Sequence, residues 1–385
     1  MLAIHGAYYD NNFGDLLLIK IFENWAKSAA NLPVVYPLVP KKEQPRYDKF
    51  FPDSHYGIDR PKDWHALIYS GGGHFGEPDQ SSRKGYKGYR SWGLRFFLRH
   101  VLPAELCIRN QVPYAIAGVG VGPLSNLMVR REVRRIFDHA DLISVRDEES
   151  HEFVQKQLGI QDVHLVPDAA LTVSKDDLPA AALDTATQVL GDYGDRPLFG
   201  IHHPRYILAE TPQAEALRAS LIVALAAASD MVPVVFADDG NSKYSEPCER
   251  LAELIRNSTG KPCLAIPFKG VWETVALISK FSAVMTTKLH VSILAYAMGI
   301  YCESFAVHPK VARFYRQIGR SHQCTLLRDI DKIVAAKKME RVIAAIDHPD
   351  VIQDDHWAAI REQARLNQIL MTRFLDAALT VRNVA

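Results

Sequence analysis

The sequence predicts an α/β protein of two doubly wound domains, each built on a mainly parallel sheet and facing the other across a cleft. Three observations carry this expectation. Short apolar runs alternate with amphipathic helical stretches along nearly the whole chain, the pattern of repeated βαβ units. The alternation lapses once, in the polar and irregular stretch from Val173 to Pro197. A length of 385 residues suits two domains of ordinary size. The expected limits are an amino-terminal domain over 1–180, a second over 196–350, and a terminal helix over 354–382 that packs back on the first domain.

Composition narrows the classes of function. The chain is 48% apolar and 23% charged with a net charge of +1, which argues against general nucleic-acid or membrane-surface binding as the main role and leaves room for local basic clusters. The five cysteines are scattered, with no CxxC pair or Cys/His spacing to suggest a metal site or disulfide framework. That usage fits a reducing cytoplasm. The start of the chain lacks a basic segment followed by an apolar one. No apolar run approaches the roughly 18 residues that a membrane span requires. The expectation is a cytoplasmic protein with no membrane span, leaving room for peripheral contact with a membrane that carries a lipid-linked substrate.

In the first half, Met1–Gly6 reads as a buried strand and Leu16 to about Ala29 as an amphipathic helix. Between them, Gly14 permits a tight turn and Asp15 is the expected N-cap. Such a loop opening onto a helix N-terminus favours anions or sugar hydroxyls, although an ordinary βα loop has the same appearance. Leu32–Leu38 is a second strand, followed by a polar, Pro- and Lys-rich segment through Pro61. Ala66–Ser70 is a third, followed directly by Gly71, Gly72 and Gly73, a place where backbone can approach a ligand closely. No Gly-Lys-Ser/Thr follows, so this is not a P-loop. Gln80–Arg99 combines Tyr, Arg and Lys, which suits a sugar ring and a phosphate or simply a solvated face. Val112–Pro123 is a strand ending in Gly118, Gly120 and Gly122. Arg130, Arg131, Arg134 and Arg135 form the solvated basic face of the helix that follows. Arg146 stands at the end of the next strand, where it either holds an anion or pairs with the acidic turn Asp147–Glu149. Asp168 follows the last strand of this half.

The second half repeats the alternation. Strands are expected over Leu198–His203, Val232–Ala237, Cys263–Pro267, Phe281–Met285 and Tyr301–Phe305. Arg205 follows the first of them, and Asp238 and Asp239 the second. Lys310 falls near a helix N-terminus, an unusual place for a cation unless an anion sits there too. The stretch Met285–Gly299 is the centre of this half. Its Lys288 and His290 lie between a buried strand and a helix that is apolar on nearly every face. Either they bond local backbone, or they face a ligand at the carboxyl edge of the sheet, where open α/β folds bind ligands. Arg205, Lys288, His290 and Lys310 together make a basic wall suited to a small, multiply charged anion.

Several short motifs, in order over about 300 residues, then carry a family resemblance. They are Asn12-Phe-Gly14-Asp15, Gly71-Gly72-Gly73, Gly118-Val-Gly120-Val-Gly122-Pro123, Ser144-Val-Arg146-Asp147-Glu148-Glu149-Ser150, Pro167-Asp168, Lys288-Leu-His290, and Phe305-Ala-Val-His-Pro-Lys310 with Phe314. The sequence resembles the polysaccharide pyruvyl transferase family. Two positions depart from the family pattern: Lys288 stands where Arg is usual, and Val307 stands where Tyr is common before the late Lys. The resemblance implies a glycosyltransferase-B-like fold and transfer of pyruvate from phosphoenolpyruvate to a glycan or glycolipid acceptor as a ketal. In that scheme His290 is the general acid, and Asp15 or Asp168 takes the hydroxyl protons. Arg146, Lys288 and Lys310 hold the donor's carboxylate and phosphate, with Arg205 as a further cation, and Asn12, Gly71, Gly72, Gly73 and Gly120 line the substrate. No metal and no cofactor are required. The alternatives are a nucleotide-sugar glycosyltransferase of the same architecture, with Glu303 its one candidate nucleotide ligand, and a catalytically silent carbohydrate-binding relative.

Overall fold

The computed structural model describes residues 1–7, 12–52, 54–77, 92–202, 204–228, 230–240, 242–347 and 353–384. Most of the Gln80–Arg99 segment, expected to face a substrate, lies outside them. The chain divides into two compact units, Met1–Asp10 with Asp15–Ala169 and Glu362–Ala385, and Asn11–Gly14 with Ala170–Arg361.

The first unit is built on seven strands, β1 Leu2–His5, β2 Val34–Tyr36, β3 His55–Tyr56, β4 Ala66–Phe75, β5 Tyr114–Val121, β6 Leu142–Val145 and β7 His164–Leu165. They run in the order β3-β2-β1-β4-β5-β6-β7, each parallel to its neighbours. The central strands are buried on both faces, which is why β1 and β5 read as unbroken apolar runs rather than as alternations. Trp64, Tyr69, Phe75, Tyr114 and Phe137 anchor the core. The second unit repeats the scheme with β8 Leu198–His202, β9 Val232–Phe236, β10 Leu264–Ile266, β11 Ala283–Thr286, β12 Tyr301–Ala306 and β13 Cys324–Leu326, ordered β10-β9-β8-β11-β12-β13. In both sheets the strand order reverses beside the first strand, at β1/β4 and at β8/β11. Crevices at the carboxyl ends of such reversals are where open α/β sheets take ligands.

Several local expectations are corrected. The three glycines lie inside β4 rather than after it. Gly71 and Gly72 take φ of +64° and +82°, open to glycine at little cost, and the pairing of β4 with β5 shifts register between Gly72 and Phe75. Asp15 is not the N-cap, because the helix already starts at Phe13. Asn12 supplies the cap oxygen instead, accepting from the Gly14 N–H at 3.3 Å. The stretch 173–197 is not irregular throughout: Ala180–Leu190 is a helix that buries Ala182, Ala186 and Leu190 along one side. The polar segment before Pro61 also contains the short helix Gln44–Phe50 and β3.

Beneath the second sheet, Glu303 in β12 is fully buried. It accepts from Lys338 Nζ at 2.5 Å and from the Tyr301 hydroxyl at 2.9 Å, while Lys338 also donates to the His322 carbonyl at 2.6 Å. Burial pushes the Glu303 carboxyl up, and Lys338 opposes that effect. Breaking a buried pair leaves an uncompensated charge. Lys338→Met is therefore expected to lower unfolding free energy in urea by about 3–5 kcal/mol. Adding Glu303→Gln to it should recover much of the loss; a double variant as unstable as the single one would contradict this account.

Among the described residues no helix is long and apolar enough to cross a membrane.

Candidate active site

In the second unit the chemistry collects where β8, β9 and β11 end. β11 gives way at Lys288, the N-cap residue of the helix Leu289–Ala297, whose nine residues are all buried. Lys288 has no side-chain capping bond. Its backbone N–H is held by Thr286 Oγ1 at 3.0 Å. A cation at a helix N-terminus opposes the helix dipole. Here Asp238, just past β9, offsets it: Oδ2 stands 3.7 Å from Lys288 Nζ, which remains 31% exposed. That distance exceeds hydrogen-bond length, so an incoming anion competes with a loose ion pair.

Behind this pair lies His202, the last residue of β8, buried to 1% exposure. Its Nδ1 is 2.7 Å from Thr286 Oγ1 and its Nε2 is 3.5 Å from Asp238 Oδ1. The carboxylate favours the tautomer with the proton on Nε2, so that Nδ1 accepts from the Thr286 hydroxyl. Thus His202, Thr286 and Asp238 form a buried bracket for Lys288. Neither His202 nor Asp238 was among the site residues expected from sequence. The legible signal was their position at the ends of two strands, and the β8/β9 register pairs His202 with Phe236, just before Asp238.

His290, in the first turn of the same helix, packs on the backbone of Gly14. A Cβ at position 14 would overlap Nδ1 and Cγ of the imidazole and stand 2.7 Å from Cε1. Asn12 and Gly14, which belong to this unit, therefore serve the imidazole structurally. The Asn12 cap fixes the turn, and Gly14 leaves room for the ring. Arg205 is exposed in the 3-10 turn Pro204–Tyr206 after β8, and Lys310 is exposed as the second residue of the helix Pro309–Gln317 after β12. Because β8, β11 and β12 are neighbours, three cations stand at the carboxyl ends of three adjacent strands.

The corresponding edge of the first unit differs in charge. Arg146, after β6, donates from Nη1 to Asp168 Oδ2 at 3.0 Å, with both side chains buried, and its Nε lies 3.8 Å from Asp147 Oδ2. Gly120 lets the guanidinium lie against β5, since a Cβ there would be 3.2 Å from Nη2. Asp147 is the N-cap of the helix Glu148–Phe153, accepting from the Ser150 N–H at 2.9 Å. Across the glycine bend, a Cβ at Gly72 would lie 3.0 Å from His74 Nε2 and 3.3 Å from Asp15 Oδ1. The sequence expectation paired Arg146 with an anion or with the acidic turn; its shortest partner is Asp168.

His74 belongs to a histidine cluster. His5 Nε2 is 3.5 Å from His100 Nδ1, and the His74 ring centroid is 5.4 Å from that of His100. Burial, reinforced by Arg146, pushes the His74 imidazole down to about 4, and burial also lowers His5 and His100 well below the ordinary value. No group of three or more His, Cys, Asp or Glu among the described residues suits a metal ion. The cluster has a pH consequence. A histidine that binds protons less readily in the folded state contributes full stability above its unfolded pKa near 6.5. That contribution drains as pH falls towards 4. For His74 alone it amounts to about 3 kcal/mol. The urea midpoint should therefore fall between pH 7 and pH 5, and His74→Asn should shrink that difference.

Residues 12–309 of the chain match the polysaccharide pyruvyl transferase family. The chain belongs to that family. No curated protein matches the sequence. Among solved structures, the UDP-GlcNAc 2-epimerase of Methanocaldococcus jannaschii covers 96% of this chain and 99% of its own at 10% identity, with a TM-score of 0.61. Anabaena HepE, solved in complex with UDP, covers 99% of both chains at 10% identity and TM-score 0.53. Sucrose-phosphate synthase from Thermosynechococcus elongatus covers 99% of both at 13% identity and TM-score 0.50. At these identities the likeness shows the fold alone, the glycosyltransferase-B-like pair of doubly wound units. At this edge Lys288 presents a single ammonium rather than a planar fork, with the Asp238 carboxylate beside it.

Proposed function

We propose that this family member transfers pyruvate from phosphoenolpyruvate to two hydroxyls of a sugar in a polysaccharide or its lipid-linked precursor, forming a ketal and releasing phosphate. The observation that carries the reading is the juxtaposition of His290 and Lys288 at the β11 edge, with Arg205 and Lys310 at the neighbouring strand ends. Phosphoenolpyruvate carries a carboxylate and a phosphate, and charge-assisted hydrogen bonds from several cations suit it.

The steps balance. His290 gives a proton to the methylene carbon, and the first sugar hydroxyl bonds to C2 while a carboxylate takes its proton. The second hydroxyl then bonds to C2 as the C–O bond to phosphate breaks, and its proton leaves with the phosphate. No resident metal or cofactor is called on. We assign the donor to the second unit, because Arg146 is already matched by Asp168. The first unit's edge, with Asp168 and Asp147 against one guanidinium, suits neutral sugar hydroxyls better than a multiply charged donor. Asp15 or Asp168 is the proton acceptor in this reading, Asp168 also orienting Arg146.

Glu303 gives no support to a nucleotide-sugar reading, being buried and bonded to Lys338 and Tyr301. Phosphate release in the presence of phosphoenolpyruvate and a panel of pyranosides tests the reaction. Thermal shift with phosphoenolpyruvate, UDP, GDP and CMP tests the donor. Stabilisation by a nucleotide and not by phosphoenolpyruvate, with no phosphate released, would overturn the proposal. Acceptor binding with no phosphate release would instead point to a silent carbohydrate-binding relative.

A further inference from the structure

One face of the first unit departs from ordinary surface chemistry. Leu94, Leu98, Leu127 and Met128 are exposed, Met128 to 80% and Leu127 to 67%. Single exposed aliphatic residues are normal, but these four belong to two helices in contact. A Cβ at Gly93 would lie 3.7 Å from Val129 Cγ2 and 3.9 Å from Asn126 Nδ2. Leu94 thus follows directly on one side of that contact, and Leu127 and Met128 lie between the two residues of the other side. Leu94 and Leu98 are one helical turn apart, with exposed Arg95 between them.

The second helix, Leu127–Asp138, is firmly seated. Asn126 caps it by accepting from the Met128 and Val129 N–H groups, and the Glu77 carboxylate accepts from Ser125 Oγ at 2.9 Å and from the Asn126 N–H at 3.0 Å. Val129, Val133, Ile136 and Phe137 face the core. That rotation turns Leu127, Met128, Arg131 and Arg134 outward, and both arginines are exposed. The acids nearby are engaged: Glu77 with the cap, and Glu105 and Glu132 with Arg135. Asp138 stands at the far end of the helix.

We propose that this face is a peripheral docking surface for an anionic lipid bilayer. Interleaved aliphatic and arginine side chains on the ends of rigid helices match an interfacial segment: the apolar tips enter the headgroup boundary while the guanidinium groups remain with lipid phosphates. Charge complementarity selects the occupant: Arg95, Arg131 and Arg134 are exposed among the aliphatic tips, while the nearby carboxylates Glu77, Glu105 and Glu132 are engaged. The inference does not depend on the donor assignment, since no residue of the face belongs to the proposed site.

Co-sedimentation of the full chain with neutral phosphatidylcholine vesicles, and with vesicles containing roughly a third phosphatidylglycerol, tests it. The wild type is expected to pellet with the anionic vesicles and to be released by high salt. Each arginine near the surface is worth about a fivefold factor in partitioning. Arg131→Glu with Arg134→Glu should therefore lower binding at least about tenfold. Leu94→Asn with Met128→Asn, which leaves the charges intact, should lower it several-fold. Circular dichroism and melting temperature establish that each variant folds. Wild-type protein remaining in the supernatant, or binding unchanged in both variants, overturns the proposal. So does loss confined to the arginine pair, which would mark a general anion contact such as an acidic protein makes.

Discussion

Replacing His290 with alanine is expected to lower the rate of phosphate release from phosphoenolpyruvate by about 10²–10⁴-fold, the range for loss of a positioned general acid. Protonation of the enol carbon is the step that makes C2 electrophilic, and binding interactions do not substitute for it. The KM for phosphoenolpyruvate should change little, because the anion is held by cations rather than by the imidazole. Lys288→Ala should behave in the opposite sense, raising KM more than it lowers kcat. His290→Ala removes a side chain buried at a helix start, so melting temperature must be compared before rates are interpreted. A folded His290→Ala protein that releases phosphate at the wild-type rate would falsify the assignment of His290 as the acid.

How much of this site was legible in the sequence depends on which contacts are local. Lys288 and His290 could be found because a buried strand and a buried helix flank them, and a cation between two such elements is conspicuous. Arg205, Lys310 and Asp168 likewise follow strands that read clearly. His202 and Asp238 belong to the same edge but acquire meaning only from the sheet order. β8 lies between β9 and β11, and this brings Asp238 and Thr286 to opposite nitrogens of one imidazole. No local pattern states that order. The glycines of β4 misled for a related reason. Three consecutive glycines directly after Ala66–Ser70 read as a ligand-facing loop, yet Gly71 and Gly72 take positive φ within the strand and pairing to β5 resumes beyond them through a register shift. The helix Ala180–Leu190 was concealed by Asp, Thr and Gln on its outer side, although its buried Ala182, Ala186 and Leu190 keep helical spacing. Arg146 illustrates a further limit: position showed that a charge stood at the edge, but not that Asp168 already balanced it.

Gly14→Ala is expected to disable the same chemistry from a distance in sequence. The added methyl has no space, since it would overlap the His290 ring. Gly14 sits in the first turn of a helix whose start is held by Asn12, so its backbone cannot retreat cheaply. The imidazole must turn away instead, and it is itself buried in a helix with no exposed residue. Overpacking of this kind costs about 1–3 kcal/mol, so the variant should fold with a lowered melting temperature. Phosphate release should fall nearly as far as in His290→Ala, because a proton donor moved by about an ångström loses much of its effect. A double-mutant cycle separates positioning from general damage. On the His290→Ala background, where the ring is absent, Gly14→Ala should cause little further loss of activity and should recover stability relative to Gly14→Ala alone. Additive losses in both measurements would mean that Gly14 acts on something other than the His290 ring.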